Sequence, residues 1–251
     1  MPSPGDVYVQ GIFDRFSYFA SWLPNANITL GDVGTKNGKY FQRLTSLTQL
    51  GIPFKVRKGT QPTDFDYAYR STINAQARAS GGVSVGTPGS LAEGSMEIEF
   101  GQEGAFLFEA DHCLIDEIED KVTLGRTILN LYQNDAWDGN WVVVHSLVTA
   151  QNTTIFVANS RNARLELSAK VPLSLGNLAN PSAGLTIRAQ SGDVTRFVAE
   201  KGLTPMFKLS NIDRSILALF KKKQITFGGK SDSDEIELPE DRDLWEIARP
   251  D

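Results

Sequence analysis

Four side chains are of the kind that do covalent chemistry. Ser84 sits in Gly82-Val83-Ser84-Val85-Gly86, the G-x-S-x-G spacing of a nucleophile elbow, where a strained strand-to-helix turn lifts a serine hydroxyl toward an acyl group. That turn must run into a helix within repeated βα units. Here Thr87-Pro88-Gly89-Ser90 follows, a turn-former rather than a helix start, so a serine hydrolase using Ser84 is the third of three readings. His112 and Cys113 are adjacent, and neighbours in an extended segment point to opposite faces, which rules them out as a nucleophile–base pair. His145 lies inside the apolar run WVVVHSLV and reads as a core histidine. No H-E-x-x-H, Walker A or C-x-x-C spacing occurs, nor a G-x-G-x-x-G opening a helix. Asp116, Glu117, Glu119 and Asp120 read as a helix N-terminus, where the dipole favours acids, rather than as metal ligands. The expectation is a protein that is not an enzyme, with no catalytic residue, no metal and no cofactor.

The elements around these residues are more informative. With 251 residues and 41% hydrophobic content, the chain has material for one large domain, or one domain and an appendage. A net charge of −5 gives no argument for nucleic acid. The single cysteine excludes an intramolecular disulfide framework and fits a reducing cytosol. The first residues, Met1-Pro2-Ser3-Pro4-Gly5-Asp6, lack a basic start and no apolar run follows, so no signal peptide is expected. No stretch of about 18 apolar residues predicts a spanning helix.

Apolar residues at helical spacing from Val9 to Leu23, closed by Pro24, predict an amphipathic helix docked on a core. Short strands are expected at 28–30, 40–44 and 52–57. Within this stretch Lys36, Lys39, Arg43, Lys55, Arg57 and Lys58 face one acid, Asp32. Such a run is a solvated face or a site for an anionic surface.

Alternation then sets in. From Phe65 to Gly86 the odd positions, among them Ile73, Ala75, Ala77, Ala79, Val83 and Val85, are apolar or small, and the even ones are mostly polar. An ordinary strand holds this period for about five or six residues. A continuous strand of this length, at about 3.3 Å per residue, would reach roughly 70 Å; the alternative is several shorter strands of a bent sheet. After a turn, Met96, Ile98 and Phe100 resume the pattern against Glu97 and Glu99, which predicts an antiparallel hairpin over 65–110. A helix is expected over 116–132. A second hairpin is expected from 141–158 with 163–173, whose second strand alternates Leu165 and Leu167 against Arg164 and Glu166. Further strands are read at 184–188, 195–199 and 204–209, and a short helix at 216–223. The fold class is thus α+β: a twisted, mostly antiparallel sheet with long amphipathic β-hairpins, flanking helices and a short C-terminal tail.

Composition changes after Phe227. Residues 228–234 form a polar, Gly- and Ser-rich linker. From Gly229 to Asp251 there are nine acids and three bases, a net of −6 that leaves +1 on the remainder. Ile236, Leu238, Leu244, Trp245 and Ile247 make this tail apolar enough to dock as a cover over the basic segment; the alternative is a frayed C-terminus.

The order of elements resembles the pore-forming domain of the gasdermin family, which has animal and bacterial members. The likeness rests on the N-terminal amphipathic helix, the basic stretch 36–58, the small-residue hairpin 65–110, the Asn140-Trp141-Val142-Val143-Val144 run opening the second hairpin, and the closing Glu200-Lys201-Gly202-Leu203-Thr204-Pro205-Met206-Phe207-Lys208-Leu209. It covers most of 7–227. Bacterial relatives tend to carry a lipid-modified cysteine near the N-terminus; the cysteine here is Cys113.

The resemblance implies a pore-forming domain over 1–227, a protease-cleavable linker at 228–234 (Gly229, Lys230, Ser231 and Asp232) and an inhibitory peptide over 235–251, with Leu244, Trp245 and Ile247 as its anchors. It implies a cytoplasmic protein kept inactive by this tail. A protease cuts the linker, and the freed domain binds anionic phospholipid through Lys36, Lys39, Arg43, Lys55, Arg57 and Lys58. It then forms a homo-oligomer and inserts its hairpins into the inner or plasma membrane. Ile73, Ala75, Ala77, Ala79, Val83, Val85, Met96, Ile98, Phe100, Leu165 and Leu167 would meet lipid. The outcome is cell death, as in antiviral defence against phage, with no nucleic acid as partner. The rival reading is a non-catalytic β-rich binding or assembly module.

Overall fold

Pro4 at the first helical position and a capping box set the first element. The Asp6 amide donates to Ser3 Oγ at 3.2 Å, and the Ser3 amide to Asp6 Oδ2 at 2.8 Å, satisfying donors a helix N-terminus leaves open. Helix α1 therefore spans Pro4–Phe16 and stops at Ser17, which is left-handed (φ 59°) and donates its N–H to Phe13 O. The expected helix 9–23 is thus displaced, because the cap at Ser3 and the reversal at Ser17 outweigh the periodicity beyond it. In this computed structural model the described residues are 2–24, 26–68, 73–79, 94–169, 173–176, 178–179, 184–199, 202–218 and 244–250.

The strands are β1 Phe19–Ala20, β2 Asp32–Asn37, β3 Tyr40–Ser46, β4 Val56–Arg57, β5 Thr63–Ala68, β6 Ile73–Ala79, β7 Gly94–Phe100, β8 Phe106–Ile118, β9 Trp141–Ala150, β10 Asn152–Ala158, β11 Ala163–Ala169, β12 Thr186–Ser191, β13 Val194–Ala199, β14 Leu203–Ile212 and β15 Trp245–Ile247, with helix α2 at Lys121–Gln133 between β8 and β9. The fold is α+β and mostly antiparallel, as expected. The chain forms two compact units, 1–28 with 58–115 and 147–207, and 29–57 with 116–146 and 208–251; β8, β9 and β14 contribute residues to both.

The first unit has three layers. Its central sheet runs β1-β14-β9-β8-β10-β13, with β5 also on β8. One face takes α1 through aromatic pairs: Tyr8 on Phe106 at 5.2 Å, Phe16 on Phe65 at 5.3 Å and Phe16 on Phe108 at 6.2 Å. Gly11 lets the helix approach, since a Cβ there would stand 2.7 Å from the Phe106 ring. The opposite face carries Leu107, Phe156 and Ala158 into one core with Met96, Ile98, Phe100, Leu165 and Leu167 of a second, four-stranded sheet, order β12-β11-β7-β6.

The expected hairpin 65–110 keeps its pairing but is bent between the two sheets. Phe65 pairs with Ala110 and Ala68 with Leu107 in the central sheet, while Ile73 pairs with Phe100 and Ala79 with Gly94 in the other. The chain turns at 101–105, where Gly104 has φ +81°. A single 70 Å ribbon is therefore replaced by the shorter-strand alternative. The second hairpin differs more. β10 pairs with β8 and β13, and β11 with β7 and β12, so the hairpin carrying Leu165 and Leu167 is β11–β12 rather than 141–158 with 163–173. The apolar run of β10 is satisfied on both faces of the central sheet, which the alternating β11 cannot be.

In the second unit β2 lies between β3 and β9. β4 pairs with the end of β8, Val56 opposite Ile118 and Arg57 opposite Glu117. Asp116 and Glu117 thus belong to a strand. Helix α2 begins only after Asp120, whose Oδ1 accepts the Thr123 amide at 2.9 Å, correcting the start expected at 116. Its buried face, Leu124, Ile128 and Leu129, packs with Val33, Leu47, Ile118, Trp137, Val143, Ile212 and Leu244. Residues 214–218 form a helical turn that overlaps the start of the stretch read as 216–223, whose remainder lies outside the described residues.

Candidate functional site

The four-stranded sheet is amphipathic by register. Ile73, Phe100 and Ala163 stand in one row, and Ala75, Ile98, Leu165 and Ala189 in the next. Between them lie polar rows: Asn74, Glu99 and Arg164, then Gln76, Glu97, Glu166 and Arg188. Residues directly opposite in an antiparallel pair share a face, so apolar and polar rows fall on opposite sides. The apolar side is buried on the two central strands, where Ile98, Phe100, Ala163, Leu165 and Leu167 are 0% exposed, while Ala189 on the β12 edge is exposed. On the other side Arg164 Nη2 bonds Glu99 Oε1 at 3.1 Å across β11 and β7. Among the described residues, β6 pairs only with β7 and β12 only with β11, so both outer edges lack a strand partner.

Of the residues expected to meet lipid, Ile73, Ala75, Met96, Ile98, Phe100, Leu165 and Leu167 are thus assembled on one face. Ala77 and Ala79 continue β6 in register with Met96 and Gly94. Val83 and Val85 lie outside the described residues, as do Ser84 and the linker residues Gly229, Lys230, Ser231 and Asp232.

The tail is docked in the second unit. β15 adds to the β14 edge, with Ile247 opposite Ser210 and Trp245 opposite Ile212. The Asp213 amide donates to Leu244 O and the Ala248 amide to Leu209 O, each at 3.0 Å. Leu244 is buried in the α2 core, and Trp245 Nε1 donates to Lys121 O at 2.8 Å. Ile247, expected to be an anchor, instead faces solvent at 60% exposure, because the strand period that buries Leu244 on the core side leaves it outward. The residue that makes room is Gly125 in α2: a Cβ there would meet Leu244 Cδ1 at 3.0 Å and Trp245 Nε1 at 3.1 Å. Only a glycine at mid-helix hinted at this in the sequence.

The cations divide. Lys36 Nζ donates to Arg249 O of the tail at 2.8 Å. Arg43 Nε bonds the buried Asp32 Oδ1 at 2.7 Å, a structural use of its charge. Arg57 pairs with Glu117; burial raises that carboxyl, but Arg57 and the nearby Lys121 and Lys208 bring it below its ordinary value. Lys39 stands at the β2–β3 turn, and Lys55 is exposed. These five belong to the second unit, and Lys58 begins a segment of the first.

No protein-family model matches the chain, and no curated protein is significantly similar to it in sequence. What remains is the chemistry of its own residues. Cys113 is buried and donates to Ala110 O at 3.4 Å; burial first, then Asp64 and Asp111, push its thiol up to about 12, which leaves no thiolate for attack at neutral pH. The His112 amide donates to Asp64 Oδ1 at 2.7 Å in a left-handed kink of β8. His145 is buried as expected. Burial chiefly, helped by Lys121 and Lys208, pulls it down to about 4. Among the described residues no group of three or more His, Cys, Asp or Glu is arranged to hold a metal, and no helix is long and apolar enough to cross a membrane.

Proposed function

We propose that this chain is a gasdermin-like pore-forming protein, held inactive by its C-terminal tail and activated by proteolysis of 228–234. The carrying observation is the four-stranded sheet: two side-by-side hairpins, one face wholly apolar, the other polar, and no partner strand on either outer edge among the described residues. A membrane barrel needs that alternation, with edges closed by neighbouring copies. The inserting strands on this reading are β6, β7, β11 and β12. Their seven- and six-residue lengths fall short of the about 9–11 residues a bilayer needs. The alternation continuing from Ala79 to Val85 supplies the extension on β6.

The tail supports the second half of the reading. It caps the edge of β14, fills a hole in the α2 core and accepts a hydrogen bond from Lys36 through Arg249 O, so its departure removes one partner of a cation that this reading places against anionic phospholipid. The freed chain oligomerises and permeabilises the membrane of the cell that makes it, a death suited to antiviral defence. The test is dye leakage from vesicles of phosphatidylcholine and phosphatidylglycerol, after cutting at a specific protease site placed within 228–234. Leakage on cutting is expected; intact vesicles leave the soluble assembly module as the reading. Charge reversal of Lys55, Arg57 and Lys58 together is expected to weaken vesicle binding, and unchanged binding removes these residues from the membrane face.

A further inference from the structure

Between β11 and β12 the chain crosses the central sheet as a strap, residues 173–176 and 178–179, pinned by two polar side chains. Glu109 of β8 and Thr154 of β10 stand directly opposite each other, on the face that Leu107 and Phe156 present to the four-stranded sheet. Glu109 is 2% exposed and Thr154 0%. Glu109 Oε2 accepts the Ala179 amide at 3.1 Å, and Thr154 Oγ1 donates to Leu178 O at 3.1 Å. Leu173 and Leu178 of the strap are buried in the same core. The second carboxyl oxygen, Glu109 Oε1, is buried and has no hydrogen-bond partner among the described residues.

A carboxyl in an apolar core between sheets is an expensive way to hold a loop, since a buried polar atom left unpaired weakens the fold. Its position explains what the arrangement does. The strap belongs to the connection of the hairpin that inserts on the reading above, and β11–β12 cannot lengthen while 178–179 are fixed to the central sheet. We propose that Glu109 and Thr154 form a latch that keeps the β11–β12 hairpin closed, and that loss of the Glu109 proton opens it.

The sign follows from the surroundings. Burial, opposed in part by the Ala179 and Leu178 amides and helped by Asp111 and Asp66, pushes Glu109 up to about 8. Asp66 faces it from β5 in the same row, and Asp111 lies two residues along its own strand. β10 presents the neutral Thr154, and the strap carries no charged side chain. The four-stranded sheet presents Met96, Ile98, Leu165 and Leu167. No cation is among the causes of the shift. Latched, the carboxyl keeps its proton to about pH 8; released into water it loses it near its ordinary value of 4.5. Rising pH between those limits therefore favours release, by one proton's worth.

The experiment is amide hydrogen exchange on the uncut full chain, reading protection factors of 173–179 from about pH 5 to about pH 8. Strap protection is expected to fall roughly tenfold per pH unit in the natural chain. In Glu109→Gln, which keeps a neutral acceptor, it is expected to be independent of pH. Thr154→Val should lower protection at every pH with the slope kept. A flat profile in the natural chain, or an undiminished slope in Glu109→Gln, overturns the latch. The consequence for pores rests on the reading above and is scored separately: the cut chain should leak vesicles faster toward pH 8, and Glu109→Gln should remove that acceleration. Vesicles intact at every pH reject the pore while leaving the exchange result standing; leakage with the same pH dependence in both chains rejects the latch while leaving the pore standing.

Discussion

Replacing Gly125 separates tail docking from everything else the fold does. A Cβ at this site stands 3.0 Å from Leu244 Cδ1 and 3.1 Å from Trp245 Nε1. The leucine end can rotate, but the indole is held by its bond to Lys121 O at 2.8 Å. Alanine therefore strains the seat, and leucine cannot share it with the tail. Ejecting the tail gives up burial of Leu244, about 2 kcal/mol, and the indole hydrogen bond, about 1 kcal/mol. The helix itself gains, since glycine is less favourable than alanine at mid-helix by about 1 kcal/mol. Gly125→Leu should thus raise the tail-open population by on the order of a hundredfold, because about 1.4 kcal/mol is a factor of ten, without unfolding α2. Hydrogen exchange of 244–248 against the amides of α2 measures both. On the pore reading, the uncut variant should also leak anionic vesicles. Tail protection unchanged from the natural chain would show that Gly125 does not gate the seat.

Three further outcomes follow from the same geometry. Lys36→Glu removes the bond to Arg249 O; tail exchange should quicken severalfold, for a hydrogen bond worth about 1 kcal/mol, and vesicle binding of the cut chain should weaken by about 1 kcal/mol or more, read by sedimentation with vesicles. Ala75→Asp sets a charge in the row of Ile98 and Leu165, where lipid-facing charges cost about 2–4 kcal/mol at mid-bilayer. Leakage should be lost while vesicle binding persists, and leakage retained would take β6 out of the membrane. Urea unfolding should show opposed slopes with pH. His145, neutral when folded and down at about 4 from 6.5, lowers stability as pH falls through that interval, whereas Glu109, up at about 8 from 4.5, lowers it as pH rises. Above about pH 6.5 only the Glu109 slope remains of the two, so stability should decline from there to pH 8 by on the order of 2 kcal/mol, and Glu109→Gln should abolish the decline.

The alternation at 73–79 and 163–169 was legible because it is enforced by burial on one side and water on the other. The same rule misled where a strand lies inside. β10 is buried at every residue, so nothing in its sequence says that it joins β8 and β13 instead of β11. Helix bounds failed at caps: Ser3 and Asp6 fix the start of α1 through their hydrogen bonds, whereas Asp116 and Glu117, acids that suit a helix N-terminus, are drawn into β8 by pairing with β4. The tail's anchors were half readable. Leu244 and Trp245 are apolar in an acidic segment, but that the tail docks as a strand, turning Ile247 outward, depends on the free edge of β14. Glu109 and Thr154 were invisible as a pair, since forty-four residues of sequence lie between two side chains that one register row brings together.

That register also bears on why such a sheet tolerates two environments. In water its apolar rows rest on Leu107, Phe156 and Ala158 while the Glu97, Glu99, Arg164 and Glu166 rows stay hydrated. In a bilayer on the proposed reading, the same apolar rows meet lipid and the same polar rows line water, so no side chain changes its preference between states. What must change is the edges, because unpaired N–H and C=O groups are tolerated beside water and not in hydrocarbon. Strand direction alternates from β12 through β11 and β7 to β6, so β6 of one copy can continue antiparallel onto β12 of the next without reversing either. Insertion by a lone copy would leave two bare edges in lipid. The sheet therefore stays on its own core until copies gather, and the tail and the strap are the two contacts that must be undone first.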